Sequence, residues 1–204
     1  MPHRTTLVFD LGGVLIDWDP RHLYRKLIND EAEMEHFLAE VCSPAWNLEQ
    51  DRGRTWKEAT ALLIQQHPMR AELIAAFHKR WPEMLGGPIS GTVDILEELR
   101  SRAAPLYALT NWSHETFHHA ENLYDFLGWF QGIVVSGREK IVKPDPAIYR
   151  LLCRRYALDP ASLVYIDDNP DNAAAASELG MHGIHFADPP ALRRELTSLG
   201  VLDC

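Results

Sequence analysis

Long apolar runs are missing from this chain of 204 residues. Nothing in it approaches the roughly 20 consecutive apolar residues that cross a bilayer as a helix, so no membrane partner is expected. Cysteine is scarce: Cys42, Cys153 and Cys204 are the whole set. None stands in a CxxC, and an odd, widely spaced set is no disulfide framework. A reducing cytoplasm is therefore the expected compartment. The opening residues, MPHRTTLVFDLGG, meet an acid after a short apolar run and do not read as a secretion signal. Positive charge is short as well, with 20 Lys and Arg against 29 Asp and Glu, a formal net charge of −9. No Lys/Arg cluster breaks that balance, so nucleic acid is not an expected partner. A small anion stays open, because local donors and a metal decide its binding. Repeats and low-complexity segments are also lacking.

What is present is a composition that folds. Hydrophobic residues make up 46% of the chain, and the length suits one domain or a core with a modest insertion. Apolar runs alternate with helical spacing. Strands are predicted at residues 5–10 (TTLVFD), 105–110 (PLYALT), 132–136 (GIVVS), 162–167 (SLVYID) and 182–186 (HGIHF). Helices are predicted at 92–102, at 113–126 behind an N-cap Ser113, at 145–156 with Pro146 in the first turn, and at 170–179 up to Gly180. The alternation implies an α/β fold: a Rossmann-like parallel sheet with helices on both faces. From about residue 20 to residue 88 no strand is convincing, and residues 21–28, 32–41, 55–67 and 69–80 look helical. We therefore expect a core made of 1–17 and 89–204 and an inserted α-helical cap at 18–88. Residues 18–20 and 86–88 would be hinges.

Ligands of open α/β sheets sit beyond the carboxyl ends of the strands. Asp10 ends the first strand, Thr110 and Asn111 the second, and Asp167, Asp168 and Asn169 the fourth. Lys143 follows the third, in GREKIVKPDP. Acids crowded at one edge repel unless a cation holds them, and hard oxygen ligands select Mg²⁺. Asp10 can act as ligand and as nucleophile toward phosphorus, giving an acyl-phosphate that water then hydrolyses. Lys143 would neutralise charge, and the Thr110 hydroxyl would donate to the phosphoryl oxygens.

FDLGGVLID, ALTN, the Lys143 of KPDPAIY and IDDNPDN, in this order, resemble the four motifs of the haloacid dehalogenase superfamily. The helical insertion resembles that superfamily's cap. The resemblance implies Asp10 as nucleophile, Thr110 as phosphate binder and Lys143 as bridging lysine. It further implies a Mg²⁺ ion on Asp10, the backbone carbonyl of Gly12, Asp168, and Asp167 directly or through water. Asn111 and Trp112, beside Thr110, are expected at the substrate.

Gly12 departs from the pattern. Phosphatases of the superfamily commonly carry a second aspartate there as general acid and base, a role worth about 10²–10⁴-fold. Three readings follow. The first is a Mg²⁺-dependent phosphatase acting on a small phosphorylated metabolite, with a good leaving group or a proton from cap or substrate. DLGGVLIDWD resembles the subgroup of glucose-1-phosphate phosphatases, which points to a sugar phosphate. The second is a 2-haloacid dehalogenase, against which the paired acids Asp167 and Asp168 argue by repelling a carboxylate substrate. The third is a protein that binds a phosphorylated ligand or a partner without turnover. Asp17 reads as a hinge or capping residue, Asp19 as a helix-start residue and Asn172 as a brace for the acids. His114 and His118 are four apart, a metal-ligand spacing, but exposed helix histidines are commoner. The oligomeric state is not readable.

Overall fold

The structure, a computed structural model, describes residues 6–203. Its first strand, β1 (Thr6–Phe9), is buried at every position. It pairs in parallel on one side with β4 (Leu106–Thr110) and on the other with β6 (Leu163–Asp167). Outside these lie β5 (Gly132–Val135) and β7 (His182–His185), giving the order β5-β4-β1-β6-β7. Strands buried on both faces need apolar residues at successive positions, which is why TLVF, LYALT and LVYI read as unbroken runs. Leu7, Phe9, Leu106, Ala108, Val164 and Ile166 enter one apolar layer. Val8, Tyr107, Leu109, Leu163 and Tyr165 enter the other. The first layer is completed by Ile95, Leu96 and Leu99 of α6 (Ser90–Ser101) and by Leu192 and Leu196 of α11 (Pro189–Ser198). The second takes Ile148, Tyr149 and Leu152 of α9 (Pro146–Tyr156) and Ala176 of α10 (Pro170–Glu178).

Several helices start with a side-chain cap followed by proline, which has no N–H to waste there. Asp145 caps α9, Asn169 caps α10 and Asp188 caps α11, with Pro146, Pro170 and Pro189 next in line. The same device opens α3 (Pro44–Asp51), where Ser43 accepts from the Trp46 N–H.

Between β1 and α6 the chain is mostly helical: α1 (Arg21–Tyr24), α2 (Glu31–Glu40), α3, α4 (Trp56–Gln66) and α5 (Ala71–Lys79). An aromatic cluster holds it, with Trp56 5.7 Å from Trp46 and 5.4 Å from Phe77 between ring centres, and Tyr24 5.1 Å from Phe37. These side chains join the same apolar layer as one face of the sheet. The chain leaves and returns through an antiparallel ribbon, β2 (Ile16–Trp18) with β3 (Leu85–Pro88), irregular between Asp17 and Trp18.

The structure corrects the sequence reading at several points. β3 lies where no strand was expected, since LGGP carries neither β-branched residues nor alternation. The helix expected from Ser113 begins only at Phe117: α7 spans Phe117–Leu123 and a 3₁₀ turn follows at Asp125–Trp129. Residues 113–116 are held otherwise, the Ser113 hydroxyl accepting from the Glu115 N–H and the Glu115 carboxylate from the Trp56 N–H at the start of α4. Ser136 opens a short helix, α8 (Ser136–Glu139), instead of ending β5. The segment 21–28 is helical only through α1, and α3 and α11 were not foreseen. Thr5, expected in the first strand, lies outside the described residues, as does Cys204. Among the described residues no helix is long and apolar enough to cross a membrane.

Candidate active site

Asp10 directly follows β1, and its N–H still donates to the Ile166 carbonyl at 2.8 Å, extending the sheet ladder by one residue. Its carboxylate is thereby fixed at the carboxyl edge, between the ends of β4 and β6. Asp10 is 7% exposed. One carboxylate oxygen accepts from the Leu11 N–H at 2.7 Å and the other lies 2.9 Å from Lys143 Nζ. The ammonium is buried too, and also reaches Asp167 Oδ2 at 2.7 Å and the Leu109 carbonyl at 3.1 Å.

A lysine buried this deeply needs its stem aimed by its own backbone. Asn111 does this: its Oδ1 accepts from the Lys143 N–H at 2.8 Å and its Nδ2 donates to the Lys143 carbonyl at 3.1 Å. The Asn111 amide, expected at the substrate, is thus engaged at both ends with Lys143, although the residue does line the cavity. Burial alone would lower the Lys143 ammonium; the Asp10 and Asp167 charges outweigh it and hold the group above the usual lysine value, so it stays charged.

Asp167 is fully enclosed and bonded on all sides. Oδ2 accepts from Lys143 Nζ and from the Tyr165 hydroxyl at 2.5 Å; Oδ1 accepts from the Asn169 N–H at 2.9 Å and from Asn172 Nδ2 at 3.0 Å. Four donors occupy its lone pairs. Asp168 is exposed and lies over the glycine turn, where a Cβ on Gly13 would come within 2.3 Å of its Oδ2. Burial raises the Asp168 carboxyl, with the Asp167 charge adding. Burial likewise pushes Asp10 up to about 7, opposed by Lys143 and reinforced by Asp167 and Asp168.

Asp10, Asp167 and Asp168 each present an oxygen within 4.8 Å of the others. Three carboxylates against one ammonium leave an excess of negative charge, and all donors are hard oxygens. This set fits a small divalent cation such as Mg²⁺. None of the histidines 114, 118 and 119 joins a metal-type group among the described residues; the His118 and His119 rings lie tilted against each other with centres 3.9 Å apart.

Asp10 and Asp168, with Lys143, floor a cavity of about 790 Å³ that Gly12, Thr110 and Asn111 also line. Its far wall comes from the helical segment: Leu38, Ala39, Cys42, Pro44, Leu48 and Phe77. Trp112, expected at the substrate, does not line this cavity. It is 4% exposed, packs 5.2 Å from Trp81 and 5.6 Å from Phe117, and borders only a side cavity of about 60 Å³ shared with Gly12, Asn47 and Asp51. Two groups escaped the sequence reading. Asp51 ends α3 and lines both cavities; EQDRGR looks like a solvated helix end. Asn47 donates to Asp51 Oδ2 at 3.2 Å. Asp17, read as a hinge residue, lies in β2 and pairs with His22 Nε2 at 2.9 Å.

Fold and site together define an α/β enzyme whose chemistry is gathered at the carboxyl edge of a parallel sheet. The chain belongs to the haloacid dehalogenase-like hydrolases, whose family profile matches residues 5–180. It is 26% identical over 193 residues to a sesquiterpene phosphatase, astK, of Aspergillus oryzae, covering 94% of each chain. It is 27% identical over 115 residues to flavin mononucleotide hydrolase 1 of Arabidopsis thaliana, named as chloroplastic, with 55% of this chain matched to 46% of that one. Among solved structures, a family enzyme of Bacteroides thetaiotaomicron in complex with magnesium and inorganic phosphate superimposes with a TM-score of 0.65 at 25% identity, over 87% of this chain and 91% of that one.

Proposed function

We propose that the protein is a Mg²⁺-dependent phosphomonoesterase acting on a small phosphorylated metabolite through an aspartyl-phosphate on Asp10. The observation that carries this reading is the buried Asp10 carboxylate set between Lys143 Nζ, 2.9 Å away, and the acids Asp167 and Asp168, at the floor of a large cavity. Asp10, the Gly12 carbonyl and Asp168 would hold the ion directly. Asp167, with its oxygens occupied by four donors, would reach it through water. The ion would supply charge neutralisation for the phosphoryl oxygens.

The protein's own groups do the rest. Asp10 attacks phosphorus in line, and Lys143 compensates charge between the attacking carboxylate and the phosphoryl group. The Thr110 hydroxyl donates to a phosphoryl oxygen. Asn111 and Asn172 position Lys143 and Asp167. In phosphoryl transfer such positioning and charge stabilisation supply most of the rate. Residues 18–88 act as a cap that carries the substrate-selecting wall, with β2 and β3 as its hinge, and closure excludes water.

The substrate's organic part is read from that wall. A sugar phosphate, suggested by DLGGVLIDWD, finds no support in the two relatives described above, one named as a sesquiterpene phosphatase and the other as a flavin mononucleotide hydrolase. Leu38, Ala39, Cys42, Pro44, Leu48 and Phe77 suit an ester with a substantially apolar body. Phosphate release over a panel of isoprenoid, flavin and sugar phosphates with Mg²⁺, with Asp10→Asn as control, tests the reading. Release from no ester would leave the non-catalytic alternative. Metal-independent halide release from a 2-haloacid would support a dehalogenase.

A further inference from the structure

We propose that Asp51, brought in by α3 of the helical segment, is the general acid and base of the reaction and replaces the carboxylate that Gly12 lacks. The inference rests on the phosphomonoesterase reading above. A Cβ built on Gly12 meets no atom within 4 Å, so the space where a side chain at position 12 would stand is open. Asp51 shares both cavities with Gly12: it lines the main cavity together with Asp10 and Gly12, and the side cavity together with Gly12 and Asn111. The side cavity, at about 60 Å³, has room for a water molecule.

The position is built. Ser136 Oγ donates to the Asp51 carbonyl at 2.6 Å and accepts from the Trp112 N–H at 3.0 Å. The end of α3 is thus tied to the loop that follows Thr110. That loop can come so close to α8 because residue 137 is glycine: a Cβ there would lie 2.8 Å from the Trp112 carbonyl. Asn47, one turn back, orients the carboxyl.

The other acids of the cavity are taken. Asp17 pairs with His22, while Asp19 and Glu35 both hold Arg21. Asp168 belongs to the proposed ion site and Asp10 to phosphorus. Among the described residues Asp51, like Asp168, has no cationic partner within ion-pair distance, and unlike Asp168 it lies outside the proposed ion site. Burial pushes its carboxyl up to about 7; the Asp10 charge adds to the rise, while the Ser113 backbone and Lys143 oppose it. A carboxyl near neutrality can give and take a proton at working pH.

In the first step the Asp10–phosphorus bond forms, the bond from phosphorus to the leaving oxygen breaks, and the Asp51 proton passes to that oxygen, releasing the alcohol. In the second, the Asp51 carboxylate takes a proton from water as the water oxygen bonds to phosphorus. The Asp10 carboxylate then leaves, and inorganic phosphate is formed.

The test compares butyl phosphate, a poor leaving group, with p-nitrophenyl phosphate, a good one, in wild type and Asp51→Asn. Expected for the variant are a loss of about 10²–10⁴-fold on butyl phosphate and a retained stoichiometric burst of p-nitrophenolate followed by slow turnover. Inhibition by inorganic phosphate should be unchanged. Adding Gly12→Asp should restore butyl phosphate turnover. If Asp51→Asn does not fold, Asp51→Ala with added formate should recover turnover. Equal losses in the burst and on butyl phosphate, no loss on either, or no formate rescue would overturn the assignment. A wild type inactive on both esters would instead overturn the phosphatase reading beneath it.

Discussion

At the sheet end of the cavity the polar atoms are held by one another. Lys143 is pinned by Asn111, Asp167 accepts four hydrogen bonds, and Asp10 sits between Lys143 and the Leu11 N–H. At the helical end an apolar stretch, Leu38 to Phe77, is edged by the Asp19–Arg21–Glu35 ion pairs, and the buried acid there, Asp51, is held by Asn47 and by a bond through its own carbonyl. In the proposed reaction, the first arrangement fixes charges where a phosphoryl group would be met the same way every time. The second leaves side chains free to match different organic bodies. The proposed function thereby separates chemistry and selection in space, and predicts that each can be disturbed alone.

The largest effect should come from the sheet end. Asp10→Asn should lower kcat by at least about 10⁴-fold, or roughly 5.5 kcal/mol of barrier, on every ester whatever its leaving group. Substrate-dependent losses in steady-state assays would blur the proposed division. Next, Lys143→Met leaves Asp10 and Asp167 buried without their cation. Urea unfolding in chelator should show a stability loss of about 3–5 kcal/mol. A loss near zero would mean that the acids are held by their other hydrogen bonds.

The third effect tests Asp51 through stability. Its carboxyl sits at about 7 in the folded protein, against an ordinary 3.8. Between these values the folded state binds more protons than the unfolded, so stability must fall as pH rises. Compared with Asp51→Asn in metal-free buffer, wild type should be equal near pH 3 and progressively weaker from about pH 4 to 7. Above that the gap should hold steady at up to roughly 4 kcal/mol. Parallel pH curves for the two proteins would remove the raised carboxyl. At the helical wall, Leu48→Gln should cut kcat/KM for isoprenoid over sugar phosphates by about 10–100-fold, with the p-nitrophenolate burst retained. The smallest effect belongs to the cavity rim, where Arg21 pairs with Glu35 at 2.6 Å but both are about two-fifths exposed. Arg21→Ala should change stability by less than about 1 kcal/mol in a thermal melt.

Much of the sheet end was legible before any coordinates. Unbroken apolar runs mark strands buried on both faces, and an acid at the end of such a run has few structural uses. Asp10, Thr110, Lys143, Asp167 and Asp168 could therefore be named as a set. The roles of Asn111 and Trp112 could not, because both lie beside Thr110 and only contacts decide them: Asn111 turns to the backbone of a residue 32 positions away, and Trp112 turns into an aromatic cluster. β3 was hidden because glycine and proline carry no strand signal of their own, and the ribbon exists through its pairing with β2.

The five strands of the sheet, the gathering of acids at one edge and the hard-oxygen chemistry they imply were determined by the sequence itself. Each rests on local pattern and on the rule that parallel strands share one carboxyl edge. Only the tertiary structure decided that Asp51 lines the same cavity. Its carbonyl is tied to Ser136, 85 residues on. Its surroundings, and so its protonation, depend on that distant packing; local spacing carries no record of which helix end will be buried and which left in water.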